Sequence, residues 1–233
     1  MAAGAKDGIV FAADSLQTLE NGAPPIEDGQ KIWEAKSLHR DSIMCGCYGA
    51  CEIIPLRGPK FSFREYSEFA LSTLNLDCYR GNPGKFLSAF GEKMRVELQR
   101  YLLGQNRNDP VILLDYFIAD IPLAWFSDGK PCAGCVCFVQ DNGLVSYSTL
   151  FYGSGISDLV VRIGGSETIL SRGLRSISNL DGAIQVAAKF AQDCIDYRLI
   201  LADCSQFGGK VHVGVLRESG FSWDTEPCPK TLK

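Results

Sequence analysis

The spacing of apolar residues changes repeatedly along this chain, and the order of those changes limits the folds open to it. Val10, Phe11, Ala12 and Ala13 form a continuous apolar run that ends at Asp14 and Ser15, as in a strand buried on both faces of a layered structure. The polar Gly/Pro loop ENGAPPIEDGQ follows. KIWEAK then opens at Lys31 and alternates Ile32 and Glu34 around Trp33 and Ala35. SIMCGCYGA reads as a further strand beyond the charged turn at His39 to Asp41. Three or four strands are therefore expected ahead of the first helix.

After RGPKFSF the period lengthens. REYSEFALSTLNLDCY carries Tyr66, Phe69, Ala70, Leu74 and Leu76 at helical spacing, and KFLSAFGEKMRVELQRYLLG carries Phe86, Phe90, Met94, Leu98 and Leu102. Asn82, Pro83 and Gly84 break the two apart as antiparallel helices. Both stripes read as core contacts. Strand period returns from Val111 with VILLDYFIADI, then CAGCVCFVQ and LVSYSTLFY, which Asp141-Asn142-Gly143 joins as a hairpin. Gly153-Ser154-Gly155 precedes a helix-compatible segment, and Asp181 is expected to cap a helix through IQVAAKFAQDCIDYRLI. Gly208-Gly209, the strand KVHVGVL, a short hairpin at Glu218 to Gly220 and a loose tail, DTEPCPKTLK, complete the chain.

Strands, two helices, strands, two helices and final strands do not make the alternation of a doubly wound sheet. They predict an α+β fold, a four-layer αββα sandwich of two antiparallel sheets flanked by helix pairs. With no internal repeat or low-complexity linker, residues 1–233 are expected to form a single domain. The early first strand is expected to present the chain start at an edge of the sandwich.

Composition narrows the function. The net charge of −4 and the lack of long basic runs leave no electrostatic footprint for nucleic acid or an anionic membrane surface. No apolar stretch approaches the roughly 18 residues needed to span a bilayer. The first residues lack the pattern of a secretory signal, so a cytoplasmic location is expected. Ten cysteines in such a chain are expected to be mostly reduced thiols. Cys45, Cys47 and Cys51, and Cys132, Cys135 and Cys137, partly imitate zinc spacing. The i, i+2 pairs in CGC and CVC instead place thiols on one face of a strand, where they pack as small apolar groups. No metal or other cofactor is expected. His39 and His212 are the two histidines, and neither sits in a recognisable nucleophile setting.

DGIVFAADS, the lysine of DGQKI, the strand end MCGCYGA, the turn YGSG and the late FGGKVHV together resemble, in order and over nearly the whole chain, the β-type proteasome subunits and their bacterial relatives. These are N-terminal-nucleophile hydrolases. The resemblance implies a threonine-type peptidase acting on polypeptides inside a homo- or hetero-oligomeric ring. Its nucleophile is an N-terminal threonine whose own α-amine takes the hydroxyl proton, since an α-amine of ordinary pKa, about 7.7–8.0, is partly neutral near pH 7. By motif, Asp14 corresponds to the acidic residue that orients the site lysine, and Lys31 to that lysine. Ser154 corresponds to the serine near the amine, and Gly46 or Gly49 to the oxyanion donor. Lacking a long helical extension before the first strand, the chain is similar to β-type rather than α-type subunits.

Two departures from the family pattern stand out. Its threonine falls about three residues before Met1, and Met1, Ala2 and Ala3 offer neither hydroxyl nor thiol. The family's Asp followed by Ser-Gly-Gly becomes Asp203-Cys204-Ser205-Gln206-Phe207-Gly208-Gly209, with Phe207 in place of the serine. Three readings follow: a peptidase whose start was lost from the sequence, a catalytically inactive structural subunit of a ring, or an amidase acting on small amides.

Overall fold

In chain order, the strands are β1 (Ala2–Ala5), β2 (Gly8–Asp14), β3 (Ile32–Lys36), β4 (Ser42–Gly46), β5 (Tyr48–Gly49), β6 (Glu52–Ile53) and β7 (Phe61–Ser62). Helices α1 (Phe63–Ser72) and α2 (Pro83–Leu103) follow, with a short 3₁₀ turn at Leu76–Tyr79 between them. Then come β8 (Tyr116–Ser127), β9 (Lys130–Asp141), β10 (Leu144–Ser154), β11 (Leu159–Val161), α3 (Leu180–Asp196), β12 (Val211–Arg217) and β13 (Gly220–Thr225). This computed structural model describes residues 1–16, 29–55, 58–104, 116–154, 159–161, 177, 179–201 and 206–225. The fold is α+β, its paired strands antiparallel. The expected helix after Gly155, the start of VILLDYFIADI and the tail after residue 225 lie outside the described residues.

Contacts divide the chain into two compact units. In the first (residues 1–33, 129–131 and 155–233), the sheet order is β11-β1-β2-β12-β13. Ala-Ala-Gly-Ala carries no β-branched or aromatic residue to announce a strand, yet β1 is buried along its length. It pairs on both sides, Ala2 with Phe11 on β2 and with Val161 on β11. The expected edge position of the chain start is thereby corrected, because β1 is an interior strand and β2 the central one.

Small side chains permit this arrangement. Ala183, Ala187 and Ala191 recur on one face of α3 and share a core with Ala3, Ala5, Val10 and Ala12, so the helix lies close over the sheet. A Cβ at Gly8 would stand 2.7 Å from the Leu216 carbonyl oxygen and 3.0 Å from Leu180. The helix is capped by Asn179, whose side chain accepts from the Gly182 N–H at 2.9 Å. This corrects the assignment of the cap to Asp181. The N-cap must be extended, as Asn179 is (φ −155°), and Asp181 already lies in the first turn, where its charge favours the positive end of the helix dipole.

In the second unit (residues 34–128 and 132–154) the sheet order is β10-β9-β8-β4-β3, with β5 also on β8; β6 and β7 form a separate pair. The expected hairpin is present. Asn142 (φ 49°) and Gly143 (φ 78°) take the left-handed conformations of a tight turn between β9 and β10. Phe86, Phe90, Met94, Leu98 and Leu102 of α2 are all buried, as their spacing predicts. The backbone approaches closely at two glycines: a Cβ on Gly91 would fall 2.5 Å from Tyr147, and one on Gly134 2.3 Å from Leu87.

Of the stripe expected from Tyr66 to Leu76, Ala70, Leu74 and Leu76 are buried and Phe69 is not. Phe69 is 62% exposed, and the buried face of α1 is Phe63, Ser67, Ala70 and Leu71. The helix begins at Phe63, so Phe63 and Leu71 set its face, and Tyr66 stacks on Phe61 at 4.1 Å. Among the described residues no helix is long and apolar enough to cross a membrane.

Replacing the cap separates its two candidates. Asn179→Ala is expected to lower stability by about 1 kcal/mol, more than Asp181→Ala, in urea unfolding followed by circular dichroism.

Candidate active site around Asp14 and Lys31

Strand β2 delivers Asp14 to its end, opposite Val211 of β12. The Asp14 side chain is 4% exposed and its Oδ1 lies 2.7 Å from Lys31 Nζ, itself 17% exposed. Oδ2 accepts the backbone N–H groups of Gly208 at 3.0 Å and Leu16 at 3.2 Å. A buried carboxylate needs partners of this kind, because burial favours the neutral form unless charge and donors compensate.

The next residue completes the junction. Ser15 Oγ accepts the Lys210 N–H at 2.8 Å, its carbonyl accepts the Gly29 N–H at 2.7 Å, and the Leu16 N–H donates to the Gly208 carbonyl at 3.2 Å. The AADS and FGGK landmarks thus meet in space. Gly209 turns the chain here with φ 72°, a conformation suited to glycine.

Asp14 and Lys31 differ in how much of their capacity is used. Asp14 has both oxygens occupied, whereas the hydrogen bond seen for Lys31 among the described residues goes to Asp14. An ammonium has three donors. Asp14 therefore anchors the site, and Lys31 brings a positive charge to it.

Met1 extends the β1–β2 ladder by one rung. Its N–H donates to the Ala12 carbonyl at 2.8 Å, and the Ala12 N–H to the Met1 carbonyl at 3.0 Å. Burial lowers the α-amine from 8.0 to about 6; the Lys31 charge acts the same way, and Cys194 and Asp14 oppose it. At pH 7 such an amine is mostly neutral, the form that accepts a proton. Beside Met1 lies an apolar cluster of Phe190 and Cys194 with Leu201 and Phe207 packed against it.

Asp14 and Lys31 are the predicted site residues that the structure brings together. Gly46, Gly49 and Ser154 belong to the second unit: Gly46 closes β4, buried, and Ser154 closes β10, exposed and in register with Cys132. Gly49 pairs with Ala119 at φ 93°, where a Cβ would stand 2.7 Å from the Ile118 carbonyl oxygen. Asp203 lies outside the described residues. Sequence reasoning missed Ser15 and Gly208 as site partners, although both sit inside quoted landmarks.

Among the described residues no two cysteines are joined in a disulfide. Burial raises the thiols of Cys45, Cys135 and Cys137, the last to about 12, with Asp120 adding to the shift at Cys137. They are protonated at neutral pH and pack as small apolar groups. Among the described residues, no group of three His, Cys, Asp or Glu side chains is placed to hold a metal ion. No protein-family model matches this chain, and no curated protein does either.

Lys31→Met strands a buried carboxylate and is expected to cost on the order of 3 kcal/mol, against less than about 1 kcal/mol for Lys189→Met at an exposed pair. Equal melting behaviour for the two would refute the buried pair. For the polypeptide that begins at Met1, the lowered amine sets a pH dependence. The unfolded chain binds a proton below pH 8 that the folded chain refuses until about 6. Stability should then fall from pH 8 to pH 6 by on the order of 2 kcal/mol, and Nα-acetylation should flatten that slope.

Proposed function

We propose that this chain is a proteasome β-type-like subunit of the N-terminal-nucleophile hydrolases, of the threonine-type peptidase class, built as a four-layer αββα sandwich and working in a ring assembly on intracellular polypeptides. The observation that carries this reading is the buried Asp14–Lys31 pair, formed at the end of β2 by residues that the family resemblance had named separately. The close approach of the AADS and FGGK landmarks adds support.

In this reading Lys31 lowers the pKa of groups beside it and stabilises negative charge that develops on an attacking hydroxyl. The hydroxyl proton passes to an α-amine in the same surroundings, and from there to the leaving amine as the acyl–enzyme ester forms. Water then hydrolyses the ester. Met1, Ala2 and Ala3 carry no hydroxyl, so this reading requires a terminal threonine that they do not supply.

A second reading, a catalytically inactive ring subunit, is favoured by the apolar surroundings of Met1. Phe207, where the family has serine, packs with Met1 against Phe190 and Cys194, and the bonds of Asp14 to Leu16 and Gly208 have structural value without any nucleophile. One set of measurements on protein purified from its natural source separates the readings. The peptidase reading expects a terminal threonine by N-terminal sequencing, inhibitor mass added to that residue by a threonine-directed covalent reagent, and loss of peptide turnover in Lys31→Met. A ring-sized particle with neither labelling nor turnover establishes the inactive subunit in its place. A monomer with neither overturns both.

A further inference from the structure

Strand β10 is a long sheet edge without charge. Its 11 residues, LVSYSTLFYGS, include no Lys, Arg, Asp, Glu or Pro, and among the described residues no strand lies beyond it in the order β10-β9-β8-β4-β3. Leu144 is 69% and Leu150 60% exposed, and Ser146, Ser148 and Thr149 are exposed with them. The opposite edge of the same sheet is guarded in the ordinary way. β3 carries Glu34 and Lys36, which pair with each other and with Ser42. Charged edge residues prevent strand addition, and an uncharged edge invites it.

The geometry also says which backbone groups face outward. Gln99 of α2 accepts the Val145 N–H at 2.7 Å, so that N–H points away from β9. Alternation along an antiparallel strand then directs the N–H and C=O groups of Tyr147, Thr149 and Phe151 the same way. The irregularity between Phe151 and Gly153 ends the regular segment.

We propose that β10 pairs antiparallel with β10 of a second copy of this chain, about a two-fold axis through Thr149. In that register Thr149 faces Thr149 and Tyr147 faces Phe151, and each facing pair exchanges its outward N–H and C=O groups. The same surface serves both partners, as a two-fold interface requires. Thr–Thr and aromatic cross-strand pairs are favourable, and like charges directly opposite are unfavourable. A chain of net charge −4 can bring two copies of this edge together because the edge itself carries no charge. Both aromatic side chains are held within their own chain, the Tyr147 Oη donating to the Ser88 carbonyl at 3.1 Å and the Phe151 ring lying 6.2 Å from that of Trp125. The proposal is independent of the peptidase reading.

Sedimentation of the full chain tests it. The wild-type protein is expected to show a concentration-dependent monomer–dimer equilibrium, or a larger assembly containing this contact. Thr149→Pro removes the outward N–H, which an edge strand tolerates, and should weaken the association at least about tenfold. Thr149→Lys sets two ammonium groups face to face and should do the same with circular dichroism unchanged. Mixing Thr149→Lys with Thr149→Glu should restore the dimer that neither forms alone. Wild-type protein that stays monomeric at its highest soluble concentration would overturn the proposal, leaving the edge to an extended segment of another protein. Association unaltered by either Thr149 variant, in a dimer or a ring, would overturn it as well.

Discussion

A single buried carboxylate organises the first unit. Asp14 sits at the end of the central strand β2, and its charge is tolerable there because three groups converge on it: the Lys31 ammonium and the backbone N–H groups of Leu16 and Gly208. Each partner comes from a different stretch of chain. Satisfying one charge therefore fixes where the loop before β3 ends and where the segment leading into β12 must pass. Hydrogen bonds to an ionised acceptor are about twice as strong as neutral ones, and removing one partner leaves the rest in a low-dielectric site. The bonds of Ser15 to Lys210 and Gly29 extend the same junction with neutral groups.

The other constraint in this unit is thickness. Alanines on β1, β2 and α3 face one another, so the helix rests on the sheet with little side-chain volume between them. Such a contact buries less apolar area per residue than a layer of leucines but holds the backbone in a narrow range of positions, because interiors are close-packed and leave no room for larger groups. The precision needed at Asp14, two rungs of the ladder away from Ala12 and three from Phe11, rests on that close packing.

What the sequence disclosed follows from how each feature is encoded. Long periodic segments were legible: α2 buries every residue its spacing selects, and the Asp141-Asn142-Gly143 turn joins β9 to β10. β1 was not, since Ala-Ala-Gly-Ala has no strand-forming side chain and its strand exists only through pairing on both sides. The face of α1 was legible in part: Ala70 is buried and Phe69 exposed, and Phe63, where the helix starts, lay just outside the stripe read from Tyr66. Asn179 and Asp181 are both good caps by composition, and only backbone conformation separates them. Asp14 and Lys31 were legible as residues because they carry side-chain chemistry. Their partners at Leu16 and Gly208 contribute a backbone N–H, which every residue but proline possesses and no residue type advertises.

The asymmetry within the ion pair gives the site its chemical direction. A carboxylate whose two oxygens are both engaged holds its position. Among the described residues the Lys31 ammonium donates to Asp14, one of the three hydrogen bonds an ammonium can give. Fixed positive charge of this sort is useful where negative charge develops, because an ammonium that is already oriented needs no reorganisation when the charge appears. In a polypeptide that begins at Met1, burial lowers the α-amine to about 6. Anchored acid at the end of β2 and oriented cation just ahead of β3 are two different electrostatic settings, and each follows from how many partners its surroundings supply.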